Sequence, residues 1–212
     1  MFKSSDFDVD LLVTTINDHH KRVSMHGLRE ELLLAQAGVI GLPLHLIRLP
    51  ESPSMEEYGE IMKTTVQHLQ SEGYSWSGFG DIFLEDLREY RDQQLNQLGI
   101  QTHYPLWKES TQKLAQSFCD EGFKAVVVCV NGKLLDRSFA GREYDKSFIN
   151  DLPDNVDPCG ENGEFHTFCY DGPIFNTPVK FDIGETIQRE YENENPDLAT
   201  SFYFTDLVRT SV

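Results

Sequence analysis

Through residue 131 the sequence alternates short apolar runs with amphipathic stretches of helical period. That alternation is the pattern of a parallel sheet covered by helices. DVDLLVTTI, residues 8–16, is nearly continuous and rich in β-branched side chains, as a strand buried on both faces requires. LREELLLAQAGVIG then predicts a helix with Leu28, Leu32, Ala35 and Val39 on one face, Arg29, Glu30 and Gln36 turned away, and Gly41 as its stop. PLHLIRLP reads as a second strand, and SMEEYGEIMKTTVQHLQSEG as a helix with a Ser cap and early glutamates that suit the helix dipole. WSGFGDI is a short strand ending in glycines, followed by the helix LEDLREYRDQQLNQLG, which Gly99 ends. QTHYPLW is extended, STQKLAQSFCDEG helical, and the strongly apolar KAVVVCVNG reads as the last strand of the series.

Beyond residue 131 the rhythm breaks into turns rich in Gly, Pro and Asp around the strands EFHTFCY, PVKFDI and SFYFTDLV. The expected organisation is an α/β region over residues 1–131 and a smaller α+β region over 132–212. The acidic EYENENPD near the C-terminus reads as a solvated loop or helix end.

Composition narrows the partners. A hydrophobic fraction of 39% with 11% aromatics suffices for a buried core. The formal charge of -17, from 35 acidic against 18 basic residues, argues against non-specific capture of a nucleic-acid backbone. No run has the apolar length of a membrane span, and MFKSSDFDVDLL puts acids where a signal peptide carries positive charge. These features predict a cytoplasmic protein. Cys119, Cys129, Cys159 and Cys169 show no CxxC spacing and read as reduced thiols.

The densest chemistry lies in DPCGENGEFHTFCYDGP, residues 157–173. Cys159, Cys169 and His166 supply three zinc-type donors, but without a paired CxxC or an obvious fourth ligand. A Cys/His nucleophilic pair is formally available, with nothing to mark the thiol as activated. Gly160 and Gly163, around Glu161 and Asn162, let the backbone turn tightly and approach a bound group. Glu164 opens a strand in which Phe165 and Phe168 pack while His166 and Thr167 approach a cleft; a Gly-rich turn before a hairpin is the plainer account.

Two further clusters follow predicted strands. In NDHHKRVSMHG, residues 17–27, Ser24 and His26 face the cleft expected beyond the carboxyl ends of parallel strands, whereas His19, His20, Lys21 and Arg22 read as an exposed polar loop. In SGFGDI, Gly78 and Gly80 end a strand, and Asp81 either accepts from a ligand or caps the next helix. SFAGREYD, residues 138–145, is a tight turn in which Arg142 is either a surface ion-pair partner or an anion clamp.

Taken in order, VSMHG, FGDIFLEDLREYR, LGIQTHYPLW, SFAGRE and above all CGENGEFHTFCYDGPIF resemble the diphthine–ammonia ligase family, PP-loop ATP pyrophosphatases of diphthamide synthesis. The resemblance implies a Rossmann-like sheet of the adenine nucleotide alpha-hydrolase (HUP) type, with helices on both faces and a substrate-binding region after it. It implies ATP and Mg²⁺ as cofactors, adenylation of a carboxylate and displacement of AMP by ammonia. The carboxylate-bearing substrate is diphthine on a translation elongation factor if the source is archaeal or eukaryotic. On this footing Glu164 and His166 are the catalytic candidates, and Gly160, Glu161, Asn162, Gly163, Thr167, Asp171 and Gly172 bind substrate. Ser24, Met25, His26, Gly27, Gly80 and Asp81 bind the nucleotide, and no cluster of carboxylates marks a metal site.

The sequence departs from the family at its start. Members carry a first strand and an SGGKDS loop that holds the ATP phosphates; neither precedes FDVDLLVTT here, and SSD at Ser4 to Asp6 is no substitute. That departure argues against adenylation by this chain alone, since phosphate positioning is most of what such a site contributes. It also predicts an incomplete version of a longer protein, or a sheet that re-pairs, with exposed edges that favour self-association. Three functions stay open: the ligase, a non-catalytic nucleotide- or substrate-binding relative, and an inactive fragment.

Overall fold

The strands β1 (Leu12–Asn17) and β2 (Leu44–Leu49) form a parallel pair, connected through the helix α1 (Glu30–Ile40). The computed structural model describes residues 7–191 and 200–210, so the SSD at Ser4 to Asp6 and residues 192–197 of the acidic EYENENPD stretch lie outside the described residues. Gly41 closes α1 at φ 83°, a left-handed conformation suited to glycine, with its N–H on the Ala37 carbonyl. The helix α2 (Met55–Ser71) opens on a capping box: the Ser54 hydroxyl accepts from the Glu57 N–H, and the Glu57 carboxylate accepts from the Ser54 N–H. A second parallel pair, β3 (Trp76–Gly78) and β4 (Gln101–His103), flanks α3 (Glu85–Asn96) in the chain. The architecture is α/β, with parallel strands flanked by helices, in line with a Rossmann-like nucleotide-binding fold.

Among the described residues no ladder joins the β1–β2 pair to the β3–β4 pair. β1 starts later than its apolar run predicts, at Leu12, because the chain before it crosses to the other pair. There the Phe7 ring lies 5.1 Å from Trp76 and 4.5 Å from His103.

After α4 (Thr111–Asp120), the apolar strand β5 (Lys124–Asn131) does not close the parallel series. It lies inside a four-stranded antiparallel sheet of order β6-β5-β8-β7, built with β6 (Phe165–Asp171), β7 (Phe181–Tyr191) and β8 (Thr200–Arg209). The expected division at residue 131 is therefore corrected: the C-terminal sheet begins at Lys124. A continuous apolar run records burial on both faces, and a central antiparallel strand covered on both sides satisfies it as well as a parallel one.

Both covers are visible. On one face Ala125, Val127 and Val130 pack with Phe165, Leu135, Phe148 of the short helix α5 (Lys146–Asp151) and Ala115 of α4. On the other face Val126, Val128, Phe168 and Leu207 pack with Leu28 and Leu32 of the N-terminal half, with Ala35 and Val39 beside them. The predicted apolar face of α1 thus lands on the C-terminal sheet. Two side chains expected on its outer face also reach that sheet: Arg29 pairs with Asp206 of β8, and the Gln36 amide donates to the Cys169 carbonyl. Among the described residues no helix is long and apolar enough to cross a membrane.

Candidate functional site

The Gly-rich run before β6 is a loop organised around one buried carboxylate. Glu164 is 2% exposed; one oxygen accepts from the Asp157 N–H at 3.0 Å and the Asn162 side-chain amide at 2.9 Å, the other from the Asn162 N–H at 2.9 Å. This corrects the expectation of a cleft-facing acid: the carboxylate spends its acceptor capacity inside its own loop. The Asp157 carboxylate adds bonds from the Cys159 N–H at 2.8 Å and the Glu161 N–H at 3.4 Å. The Tyr144 hydroxyl donates to the Pro158 carbonyl at 2.6 Å and fixes the loop to the core.

From this platform two side chains reach the N-terminal half. The Glu161 carboxylate accepts from the Ile82 N–H at 2.6 Å and the Phe83 N–H at 3.3 Å, in the loop that follows β3. His166, on β6, packs against His26 in the loop that follows β1, with ring centroids 4.4 Å apart and planes tilted by 33°. Burial lowers the His166 pKa to about 4, with the neighbouring His26 ring adding to the effect. His26 is lowered by burial as well, so both imidazoles are neutral at neutral pH. The loops after β1 and β3 lie beyond the carboxyl ends of parallel strands, where open α/β sheets gather ligands, and the 157–166 segment closes on both.

Residues 2–102 match the family model of the diphthamide synthase N-terminal domain, and residues 110–197 that of the diphthamide synthase C-terminal domain. The chain belongs to the diphthamide synthase family. Its curated relatives are distant. The chain is similar to a diphthine–ammonia ligase of Danio rerio, 24% identical over 179 residues that cover 79% of this chain and 68% of the relative. It is similar to one of Bos taurus, 25% identical over 142 residues that cover 65% of this chain and 52% of the relative. The chain spans about half to two thirds of the length of these curated relatives.

The remaining predicted residues fall into distinct places. Thr167 follows His166 on β6, and successive strand residues face opposite ways; it shares the Phe165 face instead of the His166 side, which corrects the expectation that both line one cleft. Asp171 and Gly172 stand at the far end of β6, where the Asp171 carboxylate pairs with Lys124 at 2.9 Å and Gly172 lies against Phe123. They are therefore no wall of the same crevice. Asn162 is exposed on the loop between Gly160 and Gly163. Ser24 and Met25 are exposed on the turn after β1, with Met25 at φ 62° and Gly27 at φ 67°. Gly80 is exposed after β3, and Asp81 neither caps α3, whose N-cap is Leu84, nor stands unpaired, since it bonds to Arg91.

Ser24, Met25 and Gly80 are exposed at two strand ends, and none of the six nucleotide-side candidates is a Lys or Arg that could hold a phosphate. The sulfur readings lose their geometry: the Cys159 thiol donates to the Thr111 carbonyl and the Cys169 thiol to the Asp171 carbonyl. Burial pushes their pKa values up to about 12 and about 11, so neither is an activated thiolate. Arg142 pairs with Asp151 at 2.6 Å and covers Phe139, an ion pair and not an anion clamp.

The sequence concealed one organising group. Asp206 on β8 accepts from Arg22 at 2.9 Å and, through both oxygens, from Arg29 at 3.0 and 2.7 Å. Arg22, expected in an exposed loop, also donates to the Gly27 carbonyl at 2.6 Å, so this clamp fixes the turn that carries His26. The Arg29 and Arg22 bonds hold the Asp206 carboxyl below its usual pKa. Partners this far apart in the chain leave no local sequence signal.

Proposed function

We propose that this chain provides the nucleotide-side loops and the substrate-side region of an ATP-dependent, amide-forming ligase of the diphthine–ammonia ligase type. The observation that carries the reading is the joint formed by Glu161 on the Ile82 and Phe83 amides together with His166 on His26. The family-specific run thereby meets both loops at which a parallel α/β fold takes a nucleotide. The relatives' names supply ammonia and diphthine as co-substrates, and the proposed acceptor is a carboxylate on such a protein substrate. ATP with Mg²⁺ supplies, when bound, the activation of that carboxylate toward ammonia.

Within this reading the nucleotide side runs through β4 and the substrate side begins at α4. Glu161 holds the two sides in register. His166 and His26 present unprotonated imidazole nitrogen at neutral pH, the form that can take the proton an attacking ammonia must shed. Glu164, with both oxygens engaged by N–H groups, keeps the loop in shape and is no longer the favoured base. The phosphate grip belongs to a strand-and-loop segment of the SGGKDS kind. The open edges of β1 and β3, unjoined by any ladder among the described residues, offer such a strand its place.

The test is pyrophosphate release from ATP, with ammonia and a carboxylate-bearing elongation factor, by this chain and by the chain extended with a strand and SGGKDS loop. Release by the extended chain alone, reduced in its His166→Asn variant, is the expected result. A folded extended chain that binds ATP without releasing pyrophosphate would replace the ligase with a non-catalytic relative, and one that binds no ATP would end the reading.

A further inference from the structure

At the carboxyl ends of β1 and β2, His19, His20 and Glu51 present two imidazole nitrogens and a carboxylate oxygen that all lie within 4.8 Å of one another. We infer that these three side chains form a binding site for a borderline divalent cation of the zinc, cobalt or nickel class. The site rests on different residues from the ligase joint and stands whether or not that reading holds. The His20 Nε2 to Glu51 Oε1 distance is 3.3 Å. Two ligands on a tetrahedral ion at bonds of 2.0–2.1 Å are separated by about 3.3 Å, so this pair already spans one edge of such a site. The His19 ring stands edge-on to His20, with centroids 4.9 Å apart, and its exposure leaves it room to rotate onto the third vertex.

The backbone beneath is pinned independently of any ion. The Asn17 side chain donates to the Glu51 carbonyl at 3.0 Å and accepts from the His20 N–H at 3.0 Å, so one amide ties both ligand-bearing segments together. The Asp18 N–H adds a bond to the Leu49 carbonyl at 2.8 Å. The neighbouring cations are directed elsewhere: Lys21 and Arg48 both bond to the Asp18 carboxylate, at 2.6 and 2.7 Å. Two imidazoles with one carboxylate suit zinc-class ions and disfavour Mg²⁺, which takes oxygen ligands and keeps its waters. Three protein donors leave at least one coordination position open to water or a substrate oxygen.

The experiment titrates the untagged chain at neutral pH with Zn²⁺ by calorimetry and with Co²⁺ by visible absorption. One equivalent of Co²⁺ bound with the intense bands of low coordination is expected. His20→Ala and Glu51→Gln should each weaken binding by about tenfold or more, and the double variant His19→Ala/His20→Ala should abolish it. In the unaltered chain, paramagnetic Co²⁺ should broaden the amide resonances of His19, His20 and Glu51 first, a readout independent of how any variant folds. Absence of binding, broadening centred elsewhere, or a double variant that binds like the parent would overturn the site.

Discussion

His26, on the loop after β1, and His166, on β6, face each other across the central joint with ring centroids 4.4 Å apart and are both held neutral by their surroundings. A proton on either ring would meet a poorly solvated site beside a second imidazole. The unfolded chain has no such restriction, so between about pH 6.5 and the folded value of about 4 it binds a proton that the folded chain refuses. Stability should therefore fall as pH falls through that window and level off below it, so far as this pair is concerned. Urea unfolding across that range in the parent and in His166→Asn checks it: the difference between the two curves should narrow on acidification. A constant difference would mean that the pair carries no protonation penalty.

Glu161 is the polar fastening between the family-specific loop and the segment after β3. Its removal in Glu161→Ala strips the Ile82 and Phe83 N–H groups of their acceptor, at a cost of about 1–3 kcal/mol where such groups stay buried. Ile82 is 4% exposed, so water does not easily replace the carboxylate there. Hydrogen exchange should accelerate at Ile82 and Phe83 well beyond any change in the β5 amides. Equal acceleration everywhere would indicate simple global destabilisation.

The buried carboxylate of Glu164 makes a related prediction with a different readout. Glu164→Gln keeps the shape but turns one oxygen into a donor facing N–H groups, and the loss should again be about 1–3 kcal/mol. Thermal and denaturant unfolding measure it directly. In a catalytically complete chain the variant should lose stability while keeping turnover at permissive temperature. A stable variant with abolished turnover would return Glu164 to the role of base.

What the sequence disclosed and what it hid divide along one physical line. The Ser54 cap, the Gly41 stop and the apolar stripe of Leu32, Ala35 and Val39 are local patterns that lie where predicted, whereas Leu28 packs in the same cluster from just before the helix, whose N-cap is Arg29. The run 157–166 was legible as the chemically dense loop because glycines and acids mark it locally, whereas its contacts with the loops after β1 and β3 join segments far apart in the chain and leave no local pattern. The direction of β5 was illegible: an apolar run states burial and says nothing about which neighbours provide the ladder. The split between His166 and Thr167 was in principle readable from strand alternation, which assigns adjacent residues to opposite faces. The Asp206 clamp on Arg22 and Arg29 pairs charges that no short window contains.

Gly160 and Gly163 separate two reasons for a glycine within one loop. Both have left-handed backbones, at φ 69° and 82°. A β-carbon on Gly160 would lie 2.7 Å from the Phe165 carbonyl oxygen and 3.3 Å from its ring, whereas one on Gly163 would meet nothing within 4 Å. Gly163→Ala should therefore cost only the left-handed strain, about 1–2 kcal/mol. Gly160→Ala carries that strain plus a backbone collision that displaces the start of β6, and with it His166. Its melting temperature should fall further than that of Gly163→Ala, and its His26 and His166 ring resonances should shift while those of Gly163→Ala stay near the parent's. If the two variants melt together with unshifted imidazoles, the close approach at Gly160 does not govern how the loop presents His166 to His26.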